Sequence, residues 1–185
     1  MKKSIFVVCC ILFVFCTIIP TIVCAASPPT DKKKHTEAGK YATSVEAYDM
    51  WKANPDKIKI IDVRIPEEYS FVGHPPMAYN IPSKLWTGKW NEEKKDYVLE
   101  DNPDFTTQVK KQFTQNDTIM IMCRSGHRSA AAVNLLTKAG FTNVYTIVDG
   151  FEGEKVNGKR MTDGWKNSSA PWTYDLDTKL IYMPK

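Results

Sequence analysis

Residues 118–140 read TIMIMCRSGHRSAAAVNLLTKAG. The first five are continuously apolar, which predicts a buried strand over 118–122. From Ser129 the sequence is rich in alanine and predicts a helix that stops at Gly140, a suitable residue to follow a helix end. Cys123 opens the loop between the two elements, so its thiol is predicted to face a helix N-terminus.

This placement favours an anion at Cys123. Backbone N–H groups at a helix N-terminus have no intrahelical partner, and the helix dipole adds partial positive charge. Arg124 and Arg128 add two cationic side chains to the same loop. The pattern predicts a thiolate nucleophile. The alternative, a buried structural cysteine at the end of a core strand, does not require Gly126 or the two arginines.

Strand and helix patterns alternate along the rest of the chain. The further predicted strands are 58–63, 78–81 and 143–148, and the further predicted helices are 44–52 and 103–113, with a short turn or helix at 67–71. Such alternation predicts an α/β fold with a central, mostly parallel sheet flanked by helices.

Asp62 and Arg64 stand at the end of the predicted strand 58–63. Ligand crevices of open α/β sheets lie outside the carboxyl ends of the strands, so both residues are expected near the crevice. Two roles fit them. They either pair with each other and with neighbouring loops to support the crevice, or they contact the substrate.

The segment 83–102 is polar and has no clear periodicity, although it contains Trp86, Trp90 and Tyr97. A segment this long without regular structure is often a lid or a binding loop. The alternative is an excursion whose aromatic side chains pack on the flank of the domain.

The N-terminus has the pattern of a secretory signal peptide. Lys2 and Lys3 precede an almost wholly apolar run over 5–19, and small residues follow near Ala25. A signal peptide over 1–25 predicts export, to the periplasm of a bacterium. Two alternatives are an uncleaved leader that anchors the chain in a membrane, and lipid attachment at Cys24, before which a valine replaces the usual small residue.

Removal of the leader leaves about 160 residues, enough for one domain with a sizeable core. Residues 26–42 contain a lysine run among Pro, Ser and Thr, which predicts a flexible linker. The domain is then expected over 43–185, with an irregular, aromatic-rich tail from about 154.

Cysteine usage points to a reactive thiol. Four of the five cysteines lie in the predicted leader, so only Cys123 remains and no internal disulfide is expected in the cleaved chain. An unpaired thiol in an exported protein indicates chemical use.

Charge and histidine spacing exclude other classes. Without Lys2 and Lys3 the chain has 23 basic against 21 acidic residues, which gives no reason to expect a nucleic-acid partner. The three histidines (His35, His74 and His127) are scattered and have no metal-ligand spacing, so no metal is expected.

Several motifs follow one another in a fixed order. IIDVR at 60–64 is followed by PEEY at 66–69 and Gly73-His74, and later come CRSGHRS at 123–129 and VDGF at 148–151. In this order and at this spacing they resemble the signatures of the rhodanese family of sulfurtransferases over 43–153. The sequence after His74, Pro-Pro-Met-Ala, departs from the family's usual Ile-Pro-Gly-Ala.

The resemblance implies a single-domain sulfurtransferase with a rhodanese-like α/β domain, which the predicted leader would export. The mechanism of that family implies neither a metal nor an organic cofactor. Cys123 would attack the outer sulfur of a small anion such as thiosulfate, hold that sulfur as a persulfide, and pass it to cyanide, a thiol or a protein acceptor. The loop that would bind the charge of donor and persulfide comprises Arg124, Ser125, Gly126, His127, Arg128 and Ser129.

Roles for four loop residues follow from the same resemblance. Arg128 would orient the loop or bind the anion, and Arg124 would add positive potential at the mouth of the site. His127 is either a proton donor or a solvent-facing residue without a further role. Ser129 is expected to be the helix N-cap.

Two other functions remain open at this point. Phosphatases and arsenate reductases of related fold carry seven residues from the cysteine to the arginine, whereas Cys123 to Arg128 spans six. The shorter loop favours a sulfur over a tetrahedral phosphate. A non-catalytic domain that carries sulfane sulfur or binds a partner is the other alternative. The membrane is expected as a partner only if the leader is uncleaved.

Overall fold

The computed structural model describes residues 26–183 and confirms the α/β fold. Five parallel strands form one sheet in the order β1-β7-β6-β2-β3. The strands of this sheet are β1 (Tyr41–Ala42), β2 (Ile58–Asp62), β3 (Ala78–Asn80), β6 (Thr118–Met122) and β7 (Val144–Ile147). The helices are α1 (Ser44–Ala53), α2 (Pro66–Val72), α3 (Phe105–Gln112) and α4 (His127–Lys138).

Strand β6 carries buried apolar side chains on both of its faces because helices cover both faces of the sheet. Ile119 and Ile121 of β6 point into a cluster with side chains of α3 and α4. Met120 and Met122 point to the other face, into a cluster with side chains of α1 and α2. The carboxyl end of β6 therefore emerges from the middle of the core, which gives the following loop a rigid base.

The segment 26–42 belongs to the domain, so the prediction that it is a linker ahead of a domain starting at 43 is wrong. Tyr41 and Ala42 pair with Thr146 and Ile147 as an edge strand of the sheet. The Ala26 N–H donates to the Tyr41 carbonyl at 3.0 Å. The lysine run forms a single 3₁₀ turn, Lys32–Lys34. The composition of the segment is polar, but long-range pairing orders it.

The segment 83–102 is a β-hairpin rather than an irregular excursion. Strands β4 (Lys84–Asn91) and β5 (Asp96–Asp101) pair antiparallel in a sheet of their own. The register shifts between Trp86 and Trp90. This shift interrupts the alternation of side chains between the two faces of the strand, so the sequence does not show the pattern of a strand. Tyr97 lies between both indoles in edge-on contact, with ring centroids 5.2 and 5.3 Å away.

The tail from 154 has little regular structure, with one 3₁₀ turn at Trp165–Asn167, but it is part of the core. Trp165 is fully buried, and its indole N–H donates to the Pro171 carbonyl at 2.8 Å. Thr173 exchanges two backbone hydrogen bonds with His74. Within 26–183, no helix is long and apolar enough to cross a membrane. The predicted leader lies outside the described residues.

Candidate active site

Cys123 lies at the junction of β6 and α4, as the sequence predicts. Its side chain is buried with 1% exposure, yet it lines a surface cavity of about 450 Å³. The Gly126 N–H donates to the Cys123 Sγ at 3.2 Å. A backbone donor at the start of α4 is thus directed at the sulfur, an arrangement that stabilises negative charge there.

The loop closes through Gly126, which has a left-handed φ of 96° and is the N-cap of α4. A Cβ at this position would lie 2.2 Å from the Val148 carbonyl oxygen. Both the conformation and the close approach of β7's end therefore require glycine.

Ser129 is not the helix N-cap, because α4 begins at His127, two residues before the predicted start. Its hydroxyl lies under the loop instead. It donates to the Gly126 carbonyl at 2.9 Å, shares a hydrogen bond with Thr146 at 3.0 Å, and lies 3.7 Å from the Cys123 Sγ. Ser129 therefore supports the loop and the thiol from inside the domain.

Arg128 organises the loop through a partner that the sequence analysis missed, Glu68 of α2. Two guanidinium nitrogens of Arg128 donate to the two carboxylate oxygens of Glu68 at 2.6 and 2.7 Å. Burial acts to raise the pKa of Glu68, but the hydrogen bonds and charge of Arg128, together with the charges of Arg64 and Arg124, outweigh it and hold that pKa below its ordinary value. The bidentate pair joins the cysteine loop to α2.

Arg124 and His127 occupy the rim of the cavity. Arg124 is exposed and lines the cavity beside Cys123, which agrees with its expected place at the mouth. His127 faces the N-terminal segment, and its Nε2 lies 2.8 Å from the Asp31 carboxylate. That contact with a carboxylate accounts for the orientation of the His127 ring.

Lys34 forms part of the floor of the loop and was not recognised in the sequence. Its Nζ donates to the Val148 carbonyl at 3.0 Å and pairs with Glu154. The aliphatic part of its side chain packs against Gly126, since a Cβ there would lie 3.1 Å from the Lys34 Cδ. Because Lys34 belongs to a lysine run, the sequence indicated a solvent-exposed side chain, whereas the structure buries it.

Asp62 and Arg64 form an ion pair with each other, and neither side chain lines the cavity. Arg64 Nε lies 3.0 Å from both carboxylate oxygens of Asp62, and both side chains are fully buried. Arg64 also donates to the Gly73 carbonyl at 2.7 Å and lies over the Phe151 ring, 4.2 Å from its centroid. Neither residue lines the cavity, and of the two roles considered for them, these contacts favour support of the crevice over contact with the substrate.

The hairpin forms part of the cavity wall. It contributes Trp86, Asp96, Tyr97 and Leu99, while the cysteine loop contributes Cys123, Arg124, Ser125, His127 and Arg128. The hairpin therefore borders the site, as expected for a binding loop, and its aromatic side chains are not packed away on a flank.

A comparison with known families agrees with this geometry. The model of the rhodanese-like domain matches residues 44–155. The chain belongs to the rhodanese-like family.

Relatives of this rhodanese-like protein include both bacterial and plant chains. An uncharacterised protein of Rickettsia rickettsii is 36% identical over 71% of this chain and 94% of its own length. Thiosulfate sulfurtransferase 16 of Arabidopsis thaliana, a chloroplast protein, is 41% identical over 54% of this chain and 76% of its own length. The crystal structure of Rv0390 from M. tuberculosis is similar with a TM-score of 0.61 and 27% identity, over 73% of this chain and 97% of that one.

Among residues 26–183 of this rhodanese-like protein, no group of three or more His, Cys, Asp or Glu side chains is arranged to hold a metal ion. Cys123 is a free thiol. The described site therefore holds a thiol beside one backbone N–H donor and two arginine side chains.

Proposed function

We propose that the protein is a sulfurtransferase that carries sulfane sulfur on Cys123 as a persulfide. The observation that carries the proposal is the Cys123 sulfur itself, which lines an open cavity while it accepts the Gly126 N–H at the start of α4. Membership of the rhodanese-like family, and a relative named as a thiosulfate sulfurtransferase, support it.

The reaction divides into two displacements at sulfur. The Cys123 thiolate attacks the outer sulfur of thiosulfate, a new S–S bond forms, and the original S–S bond breaks as sulfite leaves with the electron pair. A nucleophilic acceptor then attacks the outer sulfur of the persulfide. The bond to Cys123 breaks, the electron pair returns to the Cys123 Sγ, and the acceptor leaves with the transferred sulfur as thiocyanate or as a new persulfide.

The loop assists both displacements through fixed dipoles and charges. Negative charge develops first on the departing sulfite and later on the Cys123 Sγ. The Gly126 N–H already points at that sulfur, and Arg124 supplies positive potential at the mouth. The Glu68 pair neutralises Arg128, so Arg128 acts here by positioning the loop.

The test is thiocyanate formation from thiosulfate and cyanide by the purified chain without its leader, with mass spectrometry after thiosulfate alone. We expect turnover and an adduct of one sulfur atom, both absent in Cys123→Ser. An adduct without turnover would favour a sulfur carrier that awaits its own protein or thiol acceptor. Phosphatase turnover that disappears in Cys123→Ser would count against the sulfurtransferase.

The proposal also places the domain outside the cytoplasm, in the periplasm of a bacterium, because the sequence predicts a cleaved leader over 1–25. The check is the mass and the cell fraction of the mature protein. A soluble periplasmic chain that starts near Ala26 is expected. A full-length chain in the membrane fraction would instead support the anchor, and a lipid on Cys24 the lipoprotein.

A further inference from the structure

The cavity at Cys123 has more room than a small oxyanion needs. Its volume of about 450 Å³ falls within the range of about 300–1,000 Å³ typical of pockets for larger organic ligands. Ile65, Trp86, Tyr97 and Leu99 supply apolar surface beside the thiol. The cavity therefore suits a ligand with an apolar body as well as a sulfur atom.

The aromatic part of this wall is organised but exposed. Trp86 and Tyr97 hold each other edge-on, with ring centroids 5.2 Å apart, and keep 45% and 51% of their surface exposed. A ligand that covers these exposed rings removes their apolar surface from water, which contributes favourably to the free energy of binding. Their ring faces also attract cations.

Once the ion pair of Glu68 with Arg128 is set aside, two carboxylates, Glu67 and Asp96, and one guanidinium, Arg124, line the cavity, so negative charge is in excess. Three carboxylates line the cavity, and Glu68 is already paired with Arg128. Glu67 and Asp96 form no ion pair within 26–183. A carboxylate that lines the cavity without an ion-pair partner can accept a charge-assisted hydrogen bond from the ammonium group of a ligand.

Resting on the proposed function, we infer that the sulfur acceptor is an organic thiol with an apolar body and an ammonium group. The apolar body lies against Trp86 and Tyr97, and the ammonium group donates to Glu67, with Asp96 as a second carboxylate. The acceptor thiol loses its proton to solvent, and Arg124 attracts the resulting thiolate. The thiolate attacks the outer sulfur of the persulfide, the S–S bond to Cys123 breaks, and the electron pair returns to Cys123.

The experiment compares three acceptors whose thiols have the same benzylic environment. They are benzyl mercaptan, its 4-aminomethyl derivative and its 4-carboxylate derivative. Cys123 is first loaded with thiosulfate, and loss of the sulfur adduct is followed by rapid quench and mass spectrometry. We expect the cationic thiol to react about tenfold faster than the neutral one, the effect of one charge-assisted hydrogen bond, and the anionic thiol to react most slowly.

Variants assign the preference to residues. Glu67→Gln is expected to bring the rate of the cationic thiol close to that of the neutral one, and Asp96→Asn, on the exposed hairpin, to reduce the same ratio in part. Trp86→Ala is expected to slow all three thiols. Phe71→Ala is the matched control, because Phe71 is an exposed aromatic side chain on α2 that does not line the cavity. It should leave the three rates unchanged.

The outcomes separate this inference from the proposed function. Equal rates for the three thiols, or a faster anionic thiol, would overturn the inference while loading and transfer to cyanide still supported a sulfurtransferase. A cationic preference that persists in both Glu67→Gln and Asp96→Asn would also overturn it. Failure of thiosulfate to load Cys123 at all would overturn both.

Discussion

Arg128 and Arg124 lie in the same loop but make different contacts. We therefore expect their replacement by alanine to slow persulfide formation to different extents. Arg128 makes two short hydrogen bonds to Glu68, and the two side chains keep only 16% and 17% exposure. Breaking a buried ion pair costs about 3–5 kcal/mol. We expect about 3 kcal/mol, the lower end of that range, because solvent still reaches part of the pair.

If the loop must be held in place by this pair to reach the transition state, the lost free energy raises the barrier. Arg128→Ala then slows persulfide formation about a hundredfold. Arg124 is exposed and acts only through its charge. A solvent-exposed charge contributes about 1 kcal/mol or less, so Arg124→Ala slows the same step about fivefold at most. Glu68→Gln should be almost as slow as Arg128→Ala, and the Glu68→Gln/Arg128→Ala double variant no slower than the worse single one.

The assay is single-turnover formation of the Cys123 persulfide from thiosulfate at low and high ionic strength. Salt screens the Arg124 effect, whereas the partly buried pair responds little. The reasoning is refuted if the two alanine variants are equally slow and equally salt-sensitive, because both arginines would then act through charge alone. A faster reaction in Glu68→Gln would refute it too, since it would mean that Glu68 only weakens the binding of the anion.

Three further outcomes follow from the structure. Gly126→Ala should lose most sulfur transfer while the domain stays folded by circular dichroism, because a Cβ there collides with the Val148 carbonyl; full activity would show that the loop tolerates another path. Arg128 depresses the pKa of Glu68 on folding, so this carboxylate stabilises the fold above its ordinary pKa of 4.5 and loses that contribution as pH falls further. Urea unfolding of the wild type and Glu68→Gln should therefore converge in acid, and a constant difference would contradict this. Trp165→Ala should lower the free energy of unfolding by about 3–5 kcal/mol in the same assay, whereas a loss below about 1 kcal/mol would mean that the tail is not part of the core.

Local patterns predicted the central part of this fold. The apolar run of β6, the loop at Cys123 and the alanine-rich helix α4 are adjacent in sequence, so their order alone places a thiol at a helix N-terminus. The start of the helix was misplaced by two residues, because a glycine N-cap in a left-handed conformation leaves no side-chain capping signal.

The strands of the hairpin and of the N-terminal segment were not predicted from the sequence, for a different reason. A bulge between Trp86 and Trp90 disrupts the alternation that marks a strand. Two residues, 41–42, are too few to show a hydrophobic alternation, and they form a strand only because they pair with β7. In both cases, pairing with a second strand determines the local structure: the two hairpin strands pair with each other, and residues 41–42 pair with β7.

The sequence by itself determined the α/β class, the parallel sheet and the position of Cys123 at the start of a helix, because hydrophobic period, turn residues and helix ends are short-range properties of the chain. Tertiary structure alone decided which residues surround that thiol. It brings Glu68 to Arg128 across 60 positions and Lys34 to Val148 across 114, and it folds the hairpin over the same cavity. Such pairings depend on how the strands and helices pack, and no local pattern records them.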